Sequence, residues 1–423
     1  MLSQALATAS ADGPRCVFVQ MLVFGRTLAI LRVASDDPEP RLSASIQLPD
    51  ELPSLDELAA DPNLPDMLDD GLGRALAAAV VDPLLADIAP GDRVVLCTTA
   101  PASRVPWHAL PLADGRPWGA RNVISQAPNA TVLVRCLSQA RPDGAALVIG
   151  DPTGDLPRGR DEARAIAEAL GVTPLLGGEA TLGAVAAALA GQAPALLHFA
   201  CHGDVDEVDS TRSALLLAPE DPSDDGRLTV TALGGAALAG TRAFLSACDL
   251  AVADGPTRTE VFGMPRALLA AGAGAVVAGI WRVDDTATQL LMQRCHRDMA
   301  TQPLADALAS AQHWLRGLTV ADVVAMAEAA LAAELPQDRR ARLLRHIAVE
   351  QVRAGDLPAA GATLRRLLAD TDEDLAPAEH AQARHYLALL ADVGDPLAPP
   401  DYAMRPFAPM RLWAPFVVTG DWR

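Results

Sequence analysis

The chain has 423 residues, half of them apolar, with a formal charge of −19. That length suits two or three domains, and no apolar run approaches the roughly 18 residues a membrane span needs, so a transmembrane helix is not expected. The acidic balance counts against nucleic acid, whose phosphates it would repel, and leaves room for a basic peptide partner.

The opening MLSQALATASADGPR lacks the basic start and compact apolar centre of a secretory leader, so a cytoplasmic protein is expected. Two apolar runs, CVFVQMLVF and TLAILRV, flank Gly25-Arg26 and predict a β-hairpin. The acid- and proline-rich stretch that follows, SDDPEPRLSASIQLPDELPSLDELAADPNLPD, reads as loop with at most a short helix. LDDGLGRALAAAVVDPLLADI reads as helix, and RVVLCTT, TVLVRC and AALVIGD read as short strands. Strands and helices then alternate. EARAIAEAL and LGAVAAALA are helical, ALLHFA is a strand, SALLLAPEDPSDDGRLTV is hairpin-like, RAFLSAC is a strand, GMPRALLAAG a helix and AVVAGIW a strand. Continuous apolar strands separated by helices predict an α/β fold with a mostly parallel sheet covered on both faces, and a ligand site at the carboxyl ends of its strands.

After Thr286 the pattern turns helical, first in TATQLLMQRCHRDMA and PLADALASAQHWLRGL and then in a long Ala- and Leu-rich region. RLLRHIAVEQVRAGDLPAAGATLRRLLAD predicts an αα-hairpin turning at Gly355-Asp356-Leu357-Pro358, a unit similar in length and small-residue placement to a tetratricopeptide repeat. One such repeat cannot bury both of its faces, so it must pack on the core or on a partner. RLWAPFVVTGDWR closes the chain with one more strand, which makes the helical region an insertion.

The six cysteines, Cys16, Cys97, Cys136, Cys201, Cys248 and Cys295, form no CxxC pair and are expected as free thiols. No lysine occurs, a sign of GC-rich coding bias, so every fixed side-chain cation is an arginine. Two strands end in reactive groups. ALLHFA runs into Cys201-His202-Gly203, and RAFLSA runs into Cys248-Asp249. If both lie in one parallel sheet, His202 and Cys248 leave it at the same rim. A thiol there needs a base, because a free cysteine is only a few per cent thiolate at neutral pH. The backbone N–H groups of Gly203 and Cys248 would suit an oxyanion. By strand alternation Cys201 faces away from His202 and reads as a core thiol, and the same alternation argues against a metal site from His198, Cys201 and His202. His198 shares the face of His202, which permits a role, although such a residue more commonly is a satisfied interior histidine. No glycine-rich phosphate loop follows a strand, so no cofactor is expected.

HFACHGD, then FLSACD, then ALLAAGAGAVVAGIWRVDDTAT and the closing WAPFVVTGDWR together resemble the CHAT family, the caspase-like peptidases found with tetratricopeptide repeats. VPWHALPLADGRPW, SQAPNATVLVRC and LVIGDPTGDLPRGRDEARAIAEALG extend the resemblance upstream. It implies a caspase-type fold: an N-terminal half without the dyad (1–140), a catalytic half (141–322), a helical insertion (323–402) and a returning strand (403–423). It also implies endopeptidase chemistry with His202 as general base and acid and Cys248 as nucleophile. Two departures stand out: Leu250-Ala251 where the family often has Thr-Gly, and repeats that fall inside the peptidase where relatives usually carry them in front.

GIWRVDDTA is similar to the segment with which separase-like relatives of the same clan place an acid against a basic P1 residue, which makes Asp284 and Asp285 candidates for substrate binding. One of them could equally cap the helix that starts near Thr286. Asp249, beside the nucleophile, is a third candidate and reads equally well as a solvated loop carboxylate. The expected partners are a protein or peptide substrate and a regulatory protein on the helical insertion. A peptidase-like scaffold with an idle dyad, and a thiol hydrolase acting on a small molecule, are the alternatives.

Overall fold

The computed structural model describes residues 1–206, 209–235, 237–247, 263–391 and 398–423. Cys248 and Asp249, with the neighbouring Leu250-Ala251, lie outside the described residues. The chain falls into two units, Met1–Leu315 with Pro409–Arg423, and Arg316–Ala408.

The first unit begins with helix α1 (Leu2–Ala9), followed by the expected hairpin, β1 (Cys16–Phe24) and β2 (Thr27–Ala34), which turns at Gly25 in the left-handed conformation. β3 (Arg41–Gln47) departs from the expected loop. It is a polar outer strand paired only with β2, and its RLSASIQ sequence offers no buried face that would signal a strand. The short helix Leu55–Ala60 is closed by a capping box between Ser54 and Glu57, and a run of mixed helical turns over 64–86 leads into β4 (Arg93–Thr98) and β5 (Ile124–Gln126).

The second departure is TVLVRC, which is not a strand. It lies in helix α2 (Ala130–Ser138). The Asn129 side chain accepts the N–H of Val132 at 2.8 Å, and Leu133, Cys136 and Leu137 recur on one buried face, so cap and burial outweigh the β-branched composition.

β6 (Leu147–Gly150), α3 (Pro157–Leu170), β7 (Leu175–Leu176) and α4 (Leu182–Leu189) come next, then β8 (Leu196–Ala200). A small separate sheet holds β9 (Gly203–Asp204), β10 (Ala214–Leu216) and β11 (Arg227–Thr229). β12 (Arg242–Ser246), α5 (Met264–Ala270), β13 (Ala275–Gly279), α6 (Asp285–Asp298) and α7 (Leu304–Gly317) follow, and β14 (Phe416–Gly420) closes the unit.

The main sheet runs β3-β2-β1-β4-β5-β14-β13-β12-β8-β6-β7. It is mixed and mostly parallel. β13 and β14 pair antiparallel at its middle, so the strands β1, β4, β5 and β14 run opposite to β13, β12, β8, β6 and β7. The carboxyl ends of the two halves therefore lie at opposite edges. One face of the second half buries Leu197, Phe199 and Leu245 against Val185 of α4 and Leu268 and Leu269 of α5. On the other face α3 and α6 pack together, and α3 lies on β6 and β8. That packing is close: a Cβ on Gly150 would come within 2.4 Å of the Ala163 methyl, so only glycine lets α3 approach β6.

The second unit is helical: α8 (Val320–Leu331), α9 (Gln337–Arg353), α10 (Leu357–Asp370) and α11 (Pro377–Ala391). α9 and α10 form the expected αα-hairpin. Gly355 takes a left-handed turn, and Asp356 caps α10 by accepting the N–H of Ala359 at 3.0 Å. Leu344, Ile347, Leu364 and Leu367 lie within this unit's own apolar core. No helix among the described residues is long and apolar enough to cross a membrane.

Candidate active site

The site grows from two parallel strands. β8 and β12 are in direct register, Ala200 opposite Ser246, and both end at the same rim. β8 alternates as expected: Leu197, Phe199 and Cys201 join the apolar core below the sheet, whereas His198 lies on the other face beside α3 and α6. Cys201 is fully covered, and burial pushes its thiol well above the ordinary range. His202, one step beyond, stands 38 % exposed at the rim.

Around His202 opens a cavity of about 270 Å³, lined among others by Asp155, Glu162, Ser246, Ala247, Arg282 and Asp285. Ser246 and Ala247 are the last described residues of the β12 segment before Cys248. The structure thus brings together His202, the end of the strand that leads to the cysteine, and Asp285. Cys248 and Asp249 themselves are outside the described residues.

Two ring nitrogens fix how His202 can work. Nε2 lies 3.0 Å from Oδ1 of Asp155, a residue that sequence reasoning passed over. Asp155 is carried by the loop after β6, and that loop is tied down. Asp151 is in the left-handed region (φ 49°), is almost fully buried, accepts the N–H of Leu156 at 2.7 Å and pairs with Arg160 at 2.9 Å. The hydroxyl of Thr153 donates to Asp155 and, ahead of the His202 contact, holds its carboxyl below the usual carboxylate range. With Nε2 occupied by Asp155, Nδ1 is the nitrogen left to face a thiol.

Gly203 opens β9. The N–H of Leu216 donates to the carbonyl of His202 at 2.9 Å, and Gly203 sits opposite Leu215, so Gly203 occupies a non-hydrogen-bonded position of the ladder. At such a position the backbone N–H points off the ladder.

The two acids of the VDDT stretch separate. Asp284 caps α6, accepting the N–H of Ala287 at 2.8 Å. Asp285 lines the cavity, and its carboxyl is raised by desolvation first and by neighbouring Asp284 second.

Sequence reasoning also missed what lies beneath. Glu162 on α3 is 2 % exposed, with Oε1 2.9 Å from Nε2 of His198. The His198 ring meets that of His296 on α6 edge-on, 5.0 Å between centroids, and Phe244 stacks against His296 at 4.3 Å. Burial raises Glu162 to about 8, against a smaller opposing bond from Ser246, and lowers His198 and His296 to about 3 each. Among the described residues His198 Nδ1 and His296 Nε2 have no hydrogen-bond partner, and no group of three or more potential metal ligands is gathered. The signal for Glu162 was available: Glu162, Ala163, Ile166 and Ala167 share the buried stripe of α3, with Asp161 buried beside them, so this acid sits at an inward position of the helix.

A mixed, mostly parallel sheet clad in helices, with a histidine at the carboxyl rim, is the arrangement of a caspase-like fold. The chain belongs to the CHAT family: the CHAT domain model matches residues 70–421. Among solved structures it is similar to the separase–securin complex of Saccharomyces cerevisiae, with a TM-score of 0.50 at 9 % identity, covering 74 % of this chain. The chain spans only 30 % of the length of that neighbour. It is also similar to the Arg-specific cysteine proteinase gingipain R, with a TM-score of 0.38 at 11 % identity, covering 52 % of this chain and 57 % of that one. No curated protein matches the chain.

Proposed function

We propose that the protein is a cysteine endopeptidase in which His202 and Cys248 act as the dyad on a protein substrate. The reading rests on one observation: His202 and the Ser246-Ala247 end of β12, which leads directly into Cys248, line a single cavity. Nδ1 of His202 takes the thiol proton, and the thiolate sulfur attacks the scissile carbonyl carbon. The N–H groups of Gly203 and Cys248 receive the developing oxyanion. His202 then returns its proton to the departing amine, which leaves a thioester, and water activated by the same imidazole releases the acid and restores the thiol. A base of this kind typically contributes about 10²- to 10⁴-fold, and one oxyanion donor about 3 to 4 kcal/mol. Asp155 keeps the imidazole turned so that Nδ1 faces the thiol.

Among the described residues the cavity is lined by the carboxyls of Asp155 and Asp285 and by one arginine, Arg282, and this acidic excess favours a basic P1 side chain on Asp285. Asp284 serves that subsite indirectly, by fixing the start of α6, and Asp249 stands beside the nucleophile in sequence. The helical unit, with its αα-hairpin, is the surface for a regulatory protein. The test is incubation with a diverse peptide library beside a Cys248→Ala control. Cleavage after Arg or Lys that vanishes in the control is expected. An intact library under all conditions, with no labelling of Cys248 by a peptide-like thiol electrophile, would leave an idle scaffold.

A further inference from the structure

The proposed chemistry uses His202 and Cys248 and leaves Glu162 without a task. Yet Glu162 lines the same cavity, is almost wholly covered, and among the described residues has a histidine as its ion-pair partner and a serine hydroxyl as its second contact, with no arginine against it. An isolated carboxylate so placed is costly, whereas a carboxylic acid is not, because its O–H can donate to Nε2 of His198 while its other oxygen accepts from Ser246. We infer that Glu162 is the proton-releasing floor of a subsite for cationic side chains: neutral in the resting protein, it ionises when a guanidinium or ammonium group enters the cavity.

This rests on the basic-P1 reading above and deepens it. Among the described residues the titratable groups that face Glu162 are few. From β8 there is His198, from α6 there are His296 and Asp285, and around the cavity stand Asp155, His202 and Arg282; Arg158 shares its helix. Burial keeps both inner histidines neutral, so neither stabilises an ionised Glu162. An arriving cation does. In proton balance, the acid and the incoming cation become a carboxylate–cation pair, and one proton passes to solvent through the open cavity. A cation within about 4 to 6 Å commonly lowers a carboxyl by about 1 to 3 units, enough to carry Glu162 from mostly protonated to between half and almost wholly ionised at pH 7. Affinity for the cation therefore rises with pH up to the resting titration of Glu162.

The experiment is calorimetric titration of the full chain with n-propylguanidinium at pH 7 in buffers of different ionisation enthalpy. The wild type is expected to release on the order of half a proton or more per ligand bound. Glu162→Gln, which preserves both hydrogen bonds, is expected to bind with that release removed; subtracting the variant's value cancels what His202 and Asp285 contribute. Equal release in the two proteins overturns the inference and leaves the basic-P1 reading standing. Absence of binding overturns the reading, and the inference with it.

A second measurement needs no ligand. Because folding raises Glu162 above its ordinary value, the wild type should lose thermal stability as pH rises from about 4.5 to about 8, and Glu162→Gln should lose less. Parallel midpoints over that window would mean that Glu162 is already ionised, which sinks the proposal.

Discussion

The two halves of the sheet present the same sequence device with opposite outcomes. In the first half β4 runs RVVLCT and ends in Cys97 beside a threonine, and in the second half β8 and β12 run into Cys201-His202 and Ser246-Ala247-Cys248. Cys97 is 2 % exposed, its thiol donates to the Pro128 carbonyl at 3.4 Å, and burial pushes it up to about 11. The histidine of that half, His108, is buried too: it lies edge-on to Trp413, and burial lowers it to about 4. Buried charge there is matched, as with Arg93 against Asp306 at 2.7 Å. In the second half His202 stays half open over a cavity, and the carboxyl below it has no cation partner among the described residues. A cysteine after an apolar strand therefore says little about reactivity. What separates the halves among the described residues is that His202, at the end of its strand, reaches solvent, whereas His108, in the short helical turn Trp107–Ala109 beyond β4, does not.

The sharpest way to break that contrast is by substitution of the cysteines. Cys248→Ala and His202→Ala are each expected to abolish cleavage of whatever peptide the library selects. Cys97→Ala and Cys201→Ala should leave kcat unchanged and cost only the stability of a trimmed core, on the order of 1 kcal/mol. Loss of turnover in Cys97→Ala or Cys201→Ala alone would move the nucleophile to a sealed thiol and undo the comparison.

A smaller effect is expected at Asp155. Its contact with His202 is largely exposed, 69 % on the carboxylate side, so it is worth no more than about 1 kcal/mol, or about fivefold in rate. Asp155→Asn should lower kcat by up to that factor. An unchanged kcat would make Asp155 a bystander.

Much of this was legible in the residues, and the exceptions share a cause. The parallel core strands, the hairpin, the αα-hairpin and the strand that returns to the sheet all announce themselves through apolar runs or turn residues. TVLVRC misled because nine residues are too few for a helical period to outweigh Val and Thr, while the decisive signal, Asn129, sits outside the run. β5 and β7 are three and two residues long, too short for any alternation to register. For the site, strand ends placed His202 and Gly203. Asp155 was hidden because its role depends on the fold of the loop held by Asp151, and Glu162 because its neighbours His198 and His296 come from other elements.

The adjacent acids Asp284 and Asp285 give the smallest and most selective test, since one chain segment carries side by side a capping carboxylate and the carboxylate proposed to meet the substrate. Asp284→Ala removes the bond to the Ala287 N–H, which at a helix start typically costs about 1 kcal/mol. A lower thermal midpoint with P1 preference intact is the expected result. The same change removes an anion that raises Asp285, so the Asp285 carboxyl should fall back toward its ordinary range. Cleavage after basic residues should then persist to more acidic pH than in the wild type, as followed by the pH dependence of kcat/KM for an Arg-containing peptide against a neutral one. Asp285→Asn should do the reverse, sparing the midpoint and erasing the difference between the two peptides. If Asp284→Ala erases it instead, the capping carboxylate is the one that meets the substrate.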